Sequence, residues 1–411
     1  MRGRPLLHTT YESDQALLNT MTKKVMVSLF LVVLILAPFG VVPGVKFLAQ
    51  NDWLRLLSTV CIFAVGALGL NILTGLAGQI SLGHAFFMGL GAYTAAVLGS
   101  QPGAVLGLGL PMWIWLPAAG IVAALVGVAI GPTAVRVRGL YLAFVTLGLV
   151  FVGEYMFRRF VTITGGSQSG RTFPALELRI WKEEEPLISF VADGPWFGFD
   201  LTGQAKTFYF LLALLVAFVI FAKNLQRTRV GRAFQSIRDR DIAAGIMGVE
   251  EARYKLIAFG ISSFYAGVAG ALFASFVGRM IPEVWSLFLS VQFIAIVLIG
   301  GAGVVSGTLL GAAFVIILPR LVQDFTAWAA DYVTAGEGLF VWLIDIFIST
   351  GLGDWGLVNT QAGVAPGLSV AQFNLVLYGL LIIGFLIFEP LGLYGIWLRI
   401  RNYWKGWPFT Y

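Results

Sequence analysis

Apolar residues in this chain come in long unbroken runs. Residues 56–135 contain no Asp, Glu, Lys or Arg across 80 positions, and residues 25–45, 256–278 and 284–319 form further uncharged runs of 21, 23 and 36 residues. A membrane-spanning helix needs about 20 predominantly apolar residues, so each run holds one span or more. The pattern predicts ten helices, centred near Leu34, Gly66, Gly89, Val122, Leu147, Leu214, Gly267, Ile294, Ala312 and Leu380. The third is expected to start almost where the second ends, around residues 75–78. The eighth and ninth share the longest of the three shorter runs and are expected to turn at Gly300, Gly301 and Gly303.

Composition fits this picture. The chain is 58% hydrophobic and 12% charged, with a mean hydropathy of +0.86, whereas an ordinary soluble domain carries roughly 25% charged residues. The fold class is therefore an all-α polytopic membrane protein of about ten spans, with eight spans plus re-entrant pieces as the alternative. The single cysteine, Cys61, permits neither an intrachain disulfide nor a cysteine metal cluster. The formal charge of +6 is read as basic residues flanking spans, not as a nucleic-acid footprint.

Basic residues in short loops mark the cytoplasmic side. With both termini inside, the inner segments hold 17 of the 27 Lys and Arg residues. These segments are a cytoplasmic tail over residues 1–24, Arg136 and Arg138, a loop over residues 223–255, and a C-terminal tail over residues 399–411. The membrane region then covers residues 25–398. Residues 158–206 and 320–370 lie outside, the second containing "GLFVWLIDIFISTG", whose apolar part is too short to span and is expected along the outer membrane surface.

One apolar segment carries polar groups. Within "NILTGLAGQISLGHAFFMGLGAY", residues 71–93, stand Asn71, Gln79, Ser81 and His84 among glycines at 75, 78, 83, 89 and 91. Glycines let membrane helices approach closely. The polar groups ask for more, because a buried amide or hydroxyl without a partner costs on the order of 2 to 7 kcal/mol on transfer scales. Ser81 and His84 are expected on one helix face, with Gln79 beginning the same turn. Either these groups make helix-to-helix hydrogen bonds, or the second and third helices meet at a glycine-rich break lining a substrate path. Gln292 in the eighth helix is a further candidate for that path. Glu154, at the end of the fifth helix, is expected to pair with Arg158 or Arg159.

The most distinctive polar stretch is "NLQRTRVGRAFQSIRDRDIAAGIMGVEEARYKLIAFGIS", residues 224–262. It predicts a short helix over residues 232–247, ending at Gly248, with Ala233, Ile237, Ala244 and Met247 on one side and Arg232, Arg238 and Asp239 elsewhere. Its small neutral centre, "IAAGIMG", suits a contact surface more than a solvated face.

"DIAAGIMG" is similar to the coupling motif of ABC-transporter permeases. That family often has Glu directly before the alanines, where this chain has Ile242, with the acid one step earlier at Asp241. The blocks "GLNILTGLAGQISLGHAFF", "RGLYLAFVTLG", "GRAFQSIRDRDIAAGIMGVEEARYKLIAFGISSFYAGVAGALFA", "VLIGGAGVVSGTLLGAA" and "FEPLGLYGIW" resemble the branched-chain amino acid permeases of the LivM type, in family order. The resemblance implies a subunit of an ATP-driven importer in the bacterial inner membrane. A second, different permease would share its translocation path, two cytoplasmic ATPases would drive it, and an extracytoplasmic binding protein would deliver the solute. Arg232, Arg238, Asp241, Ala243, Ala244 and Gly248 would form the ATPase coupling site. The segment over residues 323–367 and the tail before residue 25 look longer than the family needs.

No Gly-Lys dipeptide occurs in the chain, so it holds no P-loop, and neither H-E-x-x-H nor G-x-S-x-G is present. No catalytic, cofactor-binding or metal-ligating residue is assigned, and no cofactor is expected. Two alternatives remain: a permease for urea or short amides, and an ATP-independent secondary transporter.

Overall fold

The computed structural model describes residues 21–40, 46–101, 103, 105–136, 140–180, 186–196, 198–335, 348–349, 357–359, 367–389 and 391–406. The N-terminal tail before residue 21, Arg138, "WKEEE" at residues 181–185 and most of residues 336–366 lie outside them. The side chains of Arg136 and Lys405 also lie outside the description.

Each of the ten predicted centres falls inside a helix. These are α1 (Met21–Leu36), α2 (Asn51–Leu70), α3 (His84–Gly99), α4 (Met112–Arg136), α5 (Leu140–Arg159), α6 (Gly203–Arg227), α9 (Glu251–Val277), α10 (Leu287–Gly300), α11 (Val305–Ala335) and α12 (Val370–Phe388). Between α6 and α9 lie the short helices α7 (Arg229–Asp239) and α8 (Asp241–Ile246), and α13 (Gly392–Gly406) follows α12. Among the described residues, six helices are long and apolar enough to cross a membrane, and shorter apolar helices cover Lys24–Phe39, His84–Gly99, Leu287–Gly300 and Gln372–Phe385.

α2 and α9 are the most buried of the six spans. α9 runs along α4, α3 and α2, while α2 also packs on α6 and α11. Small residues permit this density. A Cβ at Gly91 of α3 would come 2.2 Å from the Gly267 carbonyl oxygen of α9, and one at Gly270 would come 2.0 Å from that of Met88. Backbones approaching this closely exclude any side chain, the usual way membrane helices gain packing where lipid supplies no hydrophobic drive. α5 is the opposite case: Tyr141, Phe144, Phe151, Val152 and Tyr155 are all exposed on it.

The two ends of the bundle differ. At one end, α7 lies beside residues 71–78 and the α10–α11 turn, where Gly301 and Gly303 have φ values of 114° and 86°, and α8 follows it against α9. The turn expected at these glycines is thus present. At the opposite end, strand β1 (Arg171–Thr172) pairs with β6 (Arg279–Met280), and short hairpins join β2 (Glu177–Leu178) to β3 (Ile188–Ser189) and β4 (Gly194–Trp196) to β5 (Phe199–Leu201). The all-α reading did not contain these strands. Arg171 fixes this end. It is 2% exposed and donates to the carbonyls of Ala96 at 2.7 Å, Leu106 and Ile163, and burial lowers its pKa from the usual guanidinium range.

Two sequence expectations need correction here. The helix expected over residues 232–247 is two helices: Arg240 takes extended dihedrals (φ −156°, ψ 98°) between α7 and α8. Thr228 caps α7 by accepting from Gly231 N at 3.3 Å, so the helix begins at Arg229. In addition, α11 continues past Arg320 to Ala335, so a helix occupies the start of the segment read as external.

Candidate functional site

The polar segment of the third predicted span is a break in a helix. α2 ends in a π-helical turn over Asn71–Leu76, and residues 77–83 are non-helical before α3 begins at His84. This corrects two expectations. The third helix starts well after residue 78, and Ser81 and His84 do not share a helix face, because Ser81 and Gln79 both precede the helix. The cause is glycine. Gly78 has φ +69°, a left-handed conformation that side chains disfavour. Gly75 lies so close to its neighbours that a Cβ would come 2.2 Å from Asn71 Oδ1 and 2.3 Å from Gly303 N.

Irregular backbone at membrane depth survives only where protein or a water-filled cavity covers it. Here the cover is built from hydroxyls, two of them on neighbouring spans and one in the break itself. Thr146 Oγ1 of α5 accepts from Leu82 N at 2.9 Å, Ser290 Oγ of α10 accepts from Ala85 N at 3.0 Å, and Ser81 Oγ accepts from Gly83 N at 3.2 Å. Ser290 therefore satisfies one of the orphan amides at the start of α3 from another helix. Sequence reasoning passed over Thr146 and Ser290; each is the one Ser or Thr hydroxyl of an apolar helix, and that was the available signal.

Asn71, Gln79, Ser81 and His84 are 1%, 4%, 2% and 2% exposed. Asn71 Oδ1 accepts from Gly303 N at 2.7 Å. The His84 imidazole hydrogen-bonds the Gly66 backbone and packs on Phe293, with ring centroids 4.7 Å apart. Yet among the described residues Asn71 Nδ2, both amide atoms of Gln79 and His84 Nε2 have no hydrogen-bond partner. Buried polar atoms are usually satisfied; other buried atoms such as Ser58 Oγ and Ser263 Oγ are also without partners among the described residues, but here four gather on three side chains around one break. Gln292, half-buried beside Phe293 on α10, is joined to the group by no hydrogen bond among the described residues. Glu154 pairs with Arg158 at 2.5 Å, and Arg158 also reaches Glu283 at 3.3 Å.

The second candidate site touches the first. Ala233, Ile237 and Ala244 are buried, but Met247 is 84% exposed and leaves the side on which it was expected, joined instead by Ile242 at 70% and Ile246 at 82%. The reversal follows from the break at Arg240, which resets the helical phase between α7 and α8. Ala243 is exposed, and Gly248, with φ +83°, ends the turn. Asp241 Oδ1 accepts from Ile242 N at 2.8 Å. Arg232 is exposed. Arg238 Nη1 reaches out of α7 to the Gly75 carbonyl at 2.5 Å, and its Cγ would lie 3.1 Å from a Cβ at Gly78.

Residues 53–386 match the family described as branched-chain amino acid transport system, permease component. The chain is similar to the high-affinity branched-chain amino acid transport system permease proteins LivM of Salmonella typhimurium and Escherichia coli. Each is 32% identical over 319 residues, covering 76% of this chain and 71% of the relative. A shorter similarity, 33% identity over 142 residues, links 33% of the chain to 41% of the autoinducer 2 import system permease protein LsrC of an Enterobacter species. No solved structure matches. The chain belongs to the permease-component family of branched-chain amino acid transport systems, as an ABC-transporter permease of the LivM type and hence a transport component rather than an enzyme.

Proposed function

We propose that this permease imports branched-chain or related amino acids across the bacterial inner membrane as one of two different permease subunits. Two ATPases dock on the inner side and a binding protein delivers solute outside. The single observation that carries the reading is α8: Ile242, Ile246 and the adjoining Met247 stand 70%, 82% and 84% exposed on a short helix within the charged loop over residues 223–255. Exposed apolar side chains rimmed by charge mark interaction sites, and this end of the bundle is read as cytoplasmic from its basic residues. Ala243 and Ala244, with Asp241, Arg232, Arg238 and Gly248 around them, form the docking element.

On this reading Asn71, Gln79, Ser81 and His84 belong to the translocation path, and the orphaned amide and imidazole atoms are the groups that meet solute or water when the break opens. Gln292 would join them only after a change at α10. The likeness to LsrC over a third of the chain suits a permease whose solute is chosen by a separate binding protein.

Uptake of radiolabelled leucine into proteoliposomes carrying the assembled complex tests the proposal. The reading expects uptake that needs ATP at the α8 side and the binding protein at the other. Uptake by the purified chain alone, driven by an ion gradient, would instead establish the secondary transporter.

A further inference from the structure

Three contacts converge at one point of the bundle. Arg238 Nη1 donates to the Gly75 carbonyl at 2.5 Å, Gly303 N donates to Asn71 Oδ1 at 2.7 Å, and Gln226 Nε2 donates to the Gly303 carbonyl at 3.4 Å. A Cβ at Gly303 would itself meet Arg238 Nη1 at 2.7 Å and the Gly75 carbonyl at 3.0 Å. The α7 guanidinium, the π-helical turn of residues 71–76 and the α10–α11 turn are thus in direct contact. The last two are irregular backbone, a π-helical turn and a turn whose Gly301 and Gly303 have positive φ.

We propose that Arg238 is a positioning residue that latches the membrane break shut. While its guanidinium sits on the Gly75 carbonyl, the π-helical turn is pinned against Gly303, and Gln79 and Ser81 stay 4% and 2% exposed. The inference rests on the proposed docking of an ATPase at α8 and goes beyond it by naming how motion there reaches the path. α8 follows α7 through the single extended residue Arg240, so a displacement of α8 pulls directly on the C-terminal turn of α7, where Arg238 lies. Arg238 is an exposed arm whose charged head can return to water, so releasing it strands no buried cation. The carbonyl it leaves belongs to a π-turn that a regular i−4 bond can re-form. Coupled change requires contacts that differ between two states, and this contact has that property.

Thiol reactivity reads the latch. In the full complex, with Cys61→Ala removing the one native cysteine, Ser81→Cys places a thiol in the buried break. Losing a hydrogen bond from a charged donor is expected to raise the open population, and so the rate of labelling by a water-soluble maleimide, by about tenfold. Arg238→Ala is expected to show this rise, and Arg238→Lys, which keeps a donor on a flexible stem, to return most of the way to the parent rate. Combined with Asn71→Ala, the effect should be less than additive, because both changes free the same turn. Equal labelling rates in parent and Arg238→Ala complexes would overturn the latch, as would failure of Arg238→Lys to restore protection. If Arg238→Ala does not accumulate, Arg238→Gln carries the same comparison. The docking reading is tested separately in the same membranes: if Ile246→Asp leaves the ATPases bound, docking at α8 fails whatever Ser81→Cys shows.

Discussion

Asn71 and Gly303 lie 232 residues apart in sequence, and Asn71 Oδ1 accepts the Gly303 amide at 2.7 Å at the end of the bundle that carries α7. The bond closes the α10–α11 turn onto the end of α2, two elements that no local pattern would pair. Asn71→Ala leaves the Gly303 N–H without its acceptor at a cost of about 1–3 kcal/mol. The expected outcome is a lower midpoint temperature in detergent by fluorescence-detected size exclusion. Asn71→Asp keeps an acceptor oxygen and should lower it less than Asn71→Ala if the acceptor is what matters.

Glycine substitutions separate close packing from free space. Gly91→Ala forces a Cβ to within 2.2 Å of the Gly267 carbonyl oxygen, whereas a Cβ at Gly148 of α5 would meet nothing within 4 Å. Gly91→Ala is expected to cut the yield of monodisperse protein severely, since backbone cannot move aside as a flexible side chain does. Gly148→Ala should leave the yield unchanged. Equal yields of the two would contradict the close approach of α3 and α9.

Much of this core was legible in the chain itself. Long, mostly uncharged runs place the ten predicted centres because a lipid-like interior demands length and apolarity, and both are local properties. The break after Asn71 was signalled by glycines and by polar groups that lipid cannot satisfy. Its partners were not. The Arg238–Gly75 contact joins residues 163 apart, and Ser290 and Ala85, bonded at 3.0 Å, are 205 apart. Met247 was misplaced for a local reason: the wheel drawn over residues 232–247 assumed one helix, and the extended Arg240 voids that phase. The strands of the loop end were unreadable because two- and three-residue ladders carry no periodicity.

Arg171 supplies the next expectation. It holds the carbonyls of Ala96, Leu106 and Ile163, tying the end of α3 to the loops on either side. Arg171→Ala removes every one of these donors and is expected to cost about 3 kcal/mol or more. Arg171→Lys keeps the charge but not the planar fork, and should recover only part of the loss. The midpoint of thermal denaturation reads both variants. A midpoint unchanged in Arg171→Ala would show that the carbonyls find other donors.

Ala244 is 5% exposed beneath α8, while Ala243 beside it faces outward. Ala244→Leu overfills that contact at a cost of about 1–3 kcal/mol and should tilt α8 away from the bundle. The expected result is reduced leucine uptake with normal membrane abundance. Uptake equal to that of the parent would mean that the seat of α8 is not part of the coupling.

The docking face of α8 is the centre of the account, and one measurement addresses it most directly. The tagged chain, purified in mild detergent from its native membrane, is compared with Ile246→Asp, and the co-purifying proteins are identified by mass spectrometry. The account predicts two P-loop ATPases and a second permease with the parent chain. With Ile246→Asp it predicts loss of the ATPases and retention of the permease, because the 82% exposed Ile246 lies on the docking face alone. ATPases retained at full stoichiometry by Ile246→Asp, or absent from the parent chain, would contradict it.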